Sequence, residues 1–228
     1  MNEDNSAFSR HRRAWLEQVA RGALGAATIP FLIKHALAEE VAQDGVYRFS
    51  GAVSINNQPA KVGRVVKPGD TVTTGPGGSA VFVMGKNAHL LHANSRIEFP
   101  GSGLVSQAMR VVTGKILSVF GKGEMQISSA TATIGIRGTA AYIEAEPELT
   151  YICTCYGVAD LQSTEKPSAQ EIVKTLHHES PRYIRAGSSG TLIHPAPVIN
   201  HTDQELIMLE ALVGRVPPFV GKPGINFY

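Results

Sequence analysis

From Gly45 to about Leu161, apolar and polar residues alternate in short runs separated by Gly, Pro, Asn and Asp. A period of two puts successive side chains on opposite faces of an extended chain, so this stretch predicts short β-strands joined by tight turns. The first run spans Val46 to Ile55 and stops at Asn56-Asn57, a pair that tolerates the left-handed backbone of a hairpin. Pro68-Gly69-Asp70 marks a second turn, in which Pro fixes one backbone angle and Gly accepts a positive one. Further strands are expected around Thr71–Thr74, Ala80–Met84, His89–Leu91, Arg96–Phe99, Met109–Val112, Lys115–Phe120, Met125–Ser128, Thr131–Ile136 and Ala140–Ala145. No repeat of fixed period is present, so the expected fold is mainly β: a twisted sheet or roll with some solenoid character.

After residue 161 the pattern changes. Residues 168–176 predict a short helix, and the chain returns to an extended form over 181–193. From Thr202 to Val213, Leu206, Met208, Leu209, Leu212 and Val213 form the apolar stripe of a second, better helix. Thr202 or Asp203 can cap it, Glu205 completes a capping box with Thr202, and Gly214 ends it. The expected organisation is therefore a leader over 1–38, a β domain over 45–161 and a carboxy-terminal extension over 162–228 with one or two helices.

The leader rests on three features in the order an export signal requires. Arg10, Arg12 and Arg13 supply a basic head, residues 22–33 an uncharged apolar run, and Ala36-Leu37-Ala38 a small-residue exit with cleavage expected before Glu39. The apolar run is far shorter than the roughly 20 residues of a bilayer-spanning helix, so no stable membrane span is expected after cleavage. Arg12-Arg13 followed by Ala14-Trp15-Leu16 resembles a twin-arginine motif, which implies export in the folded state to the periplasm; an ordinary secretory signal with a chance arginine pair is the competing reading.

Composition narrows the function classes. With 228 residues, 43% of them hydrophobic, the chain can bury a core, and its formal charge of +2 gives no pull toward polyanions. Basic residues are scattered and no recognition-helix or zinc-finger spacing occurs, so no nucleic-acid partner is expected. Ser79, Ser102 and Ser118 lack a nucleophile-elbow context, Asp70 and Asp160 fit turn and strand-end roles, and phosphate-loop and dinucleotide fingerprints are missing. The expectation is a protein that is not an enzyme.

Four segments between Gly51 and Leu161 resemble the FecR domain of bacterial envelope proteins. They are VGRVVKPGDTVTTGPGGSAVFVM, the RIEF strand at Arg96–Phe99, VVTGKILSVF around Gly114, and TATIGIRGTAAYIEAE, in which Arg137-Gly138-Thr139 is the most specific piece. The resemblance covers roughly half the chain. It implies a β fold in which Arg137 is structural, and an isolated envelope domain that binds or senses an envelope protein or other periplasmic ligand.

The remaining candidate chemistry lies in Cys153 and Cys155, which share one face if their segment is a strand. His177, His178, His194 and His201 follow, any of which could complete a sulfur and nitrogen set for Zn or Cu. The expected ligand set is Cys153, Cys155, His177, His178 and His194, with no cofactor otherwise implied. Packed cysteines, a disulfide formed after export and free thiols are the competing readings. His177 and His178 would face opposite ways on an extended chain, which leaves one of them toward solvent.

Overall fold

The computed structural model describes residues 43–101 and 108–225; the leader with Arg12, Arg13, Ala36 and Ala38 lies outside the described residues. Fourteen strands follow one another as β1 (Gly45–Ser50), β2 (Val53–Ile55), β3 (Gln58–Pro59), β4 (Thr71–Thr74), β5 (Ser79–Met84), β6 (Asn87–Leu91) and β7 (Arg96–Glu98), then β8 (Ala108–Val119), β9 (Glu124–Ser128), β10 (Ala132–Ala145), β11 (Leu149–Ser163), β12 (Gln170–Thr175), β13 (Arg182–Arg185) and β14 (Ile193–Pro195). One helix, α1 (Asp203–Leu212), closes the described chain. The protein is thus mainly β, as the alternation predicts, and no helix among the described residues is long and apolar enough to cross a membrane.

All strands belong to one open sheet that forks at three long members. The carboxy-terminal half of β10 pairs with β8 and its amino-terminal half with β9, while β11 follows β10 along most of its length. On its other edge β11 pairs first with β13 and then with β12. β8 takes β7 on its first half and β6 on its second, and its contact with β9 is the one parallel pairing among the described strands. A strand that changes partner must bend, and the bends sit at Gly114, Gly138 and Gly157, all with positive φ. At Gly157 a Cβ would lie 2.4 Å from Thr139 Oγ1, and at Gly114 it would lie 2.4 Å from Ser95 Cα, so both positions need glycine for space as well as angle. The separate strands expected at 109–112 and 115–120, and at 131–136 and 140–145, are accordingly single bent strands.

The hairpin at Asn56-Asn57 forms as expected, with φ of 52° and 61° and Ile55 opposite Gln58. Asp70 serves its turn: its carboxylate accepts from Lys67 N and from Asn56 Nδ2. Residues 168–176 do not form a helix. Their core is β12, in which Val173 and Thr175 are buried at a spacing of two while the backbone pairs with Gly157–Gln162 of β11. The free edge of β11 supplies a ladder partner that an isolated nine-residue helix lacks. Strands β12 to β14 continue the same sheet beyond Leu161.

Successive residues of the central strands feed two different clusters. Ala141, Ile143 and Ala145 of β10 and Ile152 of β11 pack with Phe82, Leu91, Ile116, Ile127 and Ile134. Ala140 and Tyr142 of β10, with Tyr151, Cys153 and Cys155 of β11, face the opposite way and pack against Leu206, Leu209 and Leu212 of α1 and against Phe219. Burial on both faces explains why these segments read as nearly continuous apolar runs. Thr202 caps α1, its hydroxyl accepting from Glu205 N while the Glu205 carboxylate accepts from Thr202 N. Each of the three fully buried leucines contributes about 1.5–3 kcal/mol to holding the helix on the sheet.

Candidate metal centre

Cys153 and Cys155 stand on the α1 side of β11, two residues apart, both without solvent exposure and both with free thiols. The chain after β12 turns where Glu179 accepts from Leu176 N and His177 N. His178 then takes a left-handed φ of 59°, and its backbone N–H donates to Cys155 O at 3.0 Å. That local backbone lays the His178 ring beside the sulfurs. The approach to α1 is fixed by the Tyr151 hydroxyl, which donates to Pro197 O, and by Asn200 Nδ2, which donates to Glu144. These contacts deliver His201, whose ring stacks on Tyr142 at 4.5 Å and 15°.

Cys153 Sγ, Cys155 Sγ and one ring nitrogen each from His178 and His201 lie within 4.8 Å of one another, and all four residues are buried. Cys153 Sγ is 3.3 Å from His178 Nδ1, which is 3.1 Å from His201 Nε2. A tetrahedral Zn2+ with ordinary Zn–N and Zn–S bonds has ligand–ligand edges of about 3.4 Å between nitrogens and about 3.6 Å between nitrogen and sulfur. The two edges at His178 Nδ1 therefore fall within a few tenths of an ångström of such a polyhedron.

The outer hydrogen bonds assign the protons. A carbonyl can only accept, so His201 Nδ1–H donates to Ile199 O at 2.6 Å and its Nε2 carries a lone pair into the cluster. A carboxylate likewise only accepts, so His178 Nε2–H donates to Asp203 Oδ1 at 3.0 Å and its Nδ1 lone pair also points inward. Two lone pairs 3.1 Å apart beside two sulfurs are relieved by a hydrogen placed between them, from a thiol or an added proton, or by a metal ion. In the protonated form, burial opposes charge on His178, but the bonds to Asp203 and Cys153 outweigh it and push its pKa up to about 9. The hydrogen bond from Cys155, joined by His178 and His201, holds the Cys153 thiol well below its ordinary value against the cost of burial. Burial first, and the neighbouring Cys153 second, push the Cys155 thiol up. The shift at Cys153 is in the direction of the thiolate, the form in which cysteine binds metal ions.

The structure brings some of the expected ligand residues together and leaves others apart. Cys153, Cys155 and His178 converge, and His201 completes the four. His194 lies on β14 opposite Tyr183 and joins neither group of potential ligands. His177 does not point to solvent: its side chain is 8% exposed and its Nε2 sits 3.0 Å from both oxygens of Asp203, which also binds His178. The opposite-facing expectation assumed an extended dipeptide, whereas the left-handed φ at His178 swings both rings toward the same carboxylate. Asp203 is the residue the sequence conceals. It reads as a helix cap, but Thr202 takes that role and Asp203, in the first turn, sends a fully buried carboxylate to the histidines. The partial positive charge of a helix start favours the anion there. Arg137 is exposed at the bend of β10 and pairs with Glu124 at 3.5 Å.

No protein-family model matches this chain, and no curated protein matches it. Among solved structures, two crystal structures of a candidate anti-sigma factor from Parabacteroides distasonis ATCC 8503 are similar to it. Each has a TM-score of 0.45 and 11% identity, covering 55% of this chain and 59% of that one, so the similarity spans less than two thirds of either protein.

Proposed function

We propose that this chain is an exported, FecR-like β protein of the cell envelope that works without catalysis as a binding or signalling module, and that it holds one Zn2+ at Cys153, Cys155, His178 and His201. The convergence of these four buried donors carries the reading. Two thiolates and two imidazoles are a donor set that favours tetrahedral Zn2+, and four protein ligands leave no open position for a reacting group, which marks a structural centre rather than a catalytic one. Asp203 orients His178 and the Ile199 carbonyl orients His201, as outer-sphere partners do around metal-bound imidazoles. The ion ties β11, the turn after β12 and the start of α1 together across the face that the helix covers. Export through the twin-arginine route accords with metal acquired during folding, and the Arg12-Arg13 leader and the Arg-Gly-Thr segment support placement in the envelope.

Elemental analysis of protein recovered from the periplasm tests this. One Zn per chain is expected, falling to background in the Cys153→Ser, Cys155→Ser double variant and in His201→Gln. Replacement by Co2+ is expected to give the ligand-field bands of a tetrahedral site and a thiolate charge-transfer band. Stoichiometric copper would replace the zinc assignment by Cu+, whereas protein that stays metal-free on titration with either ion would end the metal reading.

A further inference from the structure

A cavity of about 530 Å3 opens between the β5–β6 hairpin, the turn before β4 and the segment joining β8 to β9, on the side of the sheet that feeds the first core cluster. This falls within the range of small-molecule sites. Its buried lining is apolar and aromatic, with Val66, Phe99 and Met125. One polar side chain is buried among them. His89 is 1% exposed and rests between the rings of Phe82, Phe99 and Phe120, with centroids 5.0–6.0 Å away. Its Nδ1 lies 2.8 Å from Ser118 Oγ, while its Nε2, in the cavity lining, has no hydrogen-bond partner among the described residues. Burial pushes its pKa down to about 3, so the ring meets a ligand as a neutral hydrogen-bonding group. With Nδ1 engaged by Ser118, Nε2 is the ring atom left to exchange a hydrogen bond with whatever fills the cavity that His89 lines.

The rim has the opposite character. Lys67, Lys86 and Lys122 line it from three separate turns and are exposed, and none of them forms an ion pair with a carboxylate of the described residues. The one acidic lining residue, Asp44, uses Oδ1 to accept from Gly85 N at 2.6 Å. Asn87 spends its carbonyl oxygen on Gly121 N and keeps its amide hydrogens for the cavity. Cations at the mouth, aromatic and thioether walls and one hydrogen-bonding nitrogen at the floor form a polarity gradient that a particular kind of molecule matches.

We infer that this cavity binds a small hydroxylated aryl carboxylate, with the carboxylate among Lys67, Lys86 and Lys122, the ring against Phe99 and Met125, and the distal hydroxyl on His89 Nε2. The site is separate from the cysteine and histidine cluster and stands whether or not that cluster holds a metal. It gives the binding module a chemical class of ligand.

Calorimetric titration of the full-length protein with 4-hydroxycinnamate tests the inference. A single saturable site is expected, with cinnamate, which lacks the hydroxyl, and the methyl ester of 4-hydroxycinnamate each about tenfold weaker, the loss that one hydrogen bond or one charge contact implies. His89→Gln is expected to narrow the difference between 4-hydroxycinnamate and cinnamate. The triple variant Lys67→Met, Lys86→Met, Lys122→Met, whose changes lie at exposed positions and leave the core intact, is expected to remove the preference for the acid over the ester. Absence of saturable binding, or binding that discriminates equally well in the triple variant, would overturn it.

Discussion

Acid should weaken this fold through one ring. Burial among Phe82, Phe99 and Phe120, with no carboxylate hydrogen-bonded to the ring, lowers the His89 pKa to about 3 in the folded protein against 6.5 when free. Above pH 6.5 the ring is neutral in both states and costs nothing. Below that, the unfolded chain binds a proton that the folded chain refuses, so stability falls with pH until about pH 3, where the folded state binds it too. The full slope is about 1.4 kcal/mol per pH unit and is reached only well below pH 6.5, so the drop from pH 7.5 to 4.5 removes roughly 2.7 kcal/mol, about 2.3 of it below pH 6.5. His89→Gln keeps a hydrogen-bonding group toward Ser118 but cannot titrate. Urea unfolding followed by circular dichroism, for both proteins at the same metal loading from pH 7.5 to 4.5, isolates the term because every other group cancels in the difference. Glutamine should be less stable at neutral pH, and the gap should shrink by roughly 2.7 kcal/mol over the acid range. Parallel curves would show that the ring is solvated or paired in the folded state and would refute the burial argument.

Two further changes probe the proposed metal centre and the forked sheet. Asp203→Asn keeps an acceptor for His178 but removes the charge that holds its proton, so Zn2+ affinity by competition with a chelator should fall about 10- to 100-fold while all four ligands remain; unchanged affinity would remove Asp203 from the site. Gly157→Ala puts a Cβ 2.4 Å from Thr139 Oγ1 at a φ of +95°, and should cost more than about 2 kcal/mol in urea unfolding, whereas a loss below about 0.5 kcal/mol would mean that the bend relaxes easily.

The strands before Leu161 were legible because alternation and turn residues are local signals. Asn56-Asn57 needs no distant partner to specify a hairpin, and the stripe from Leu206 to Val213 with its Thr202–Glu205 box needs none to specify a helix. What escaped depends on contacts between distant segments. Gly114 and Gly138 read as breaks, since a glycine that ends a strand and one that bends it look alike until the strand's second partner is known. Residues 168–176 read as helix because the free edge of β11 that claims them lies outside their own sequence window. At the candidate metal centre the two cysteines announced their shared face, but the approach of His201 rather than His194 is set by how residues 196–201 cross Tyr151 and Glu144. Asp203 was hidden by its neighbourhood: beside a capping threonine, a first-turn aspartate is sufficiently explained as part of the cap.

The burial of Cys153, Cys155, His178 and His201 on the face that α1 covers would also set a clock for the proposed ion. An ion held there has no solvent-facing edge on which an incoming chelator can form a mixed complex, so it leaves only when the carboxy-terminal segment lifts from the sheet. Exchange is then governed by an opening rate, independent of how much competitor waits outside. If the proposed ion is bound before the proposed export, the protein would carry it through a compartment whose free-metal level is very different, remembering where it folded for as long as the helix stays down.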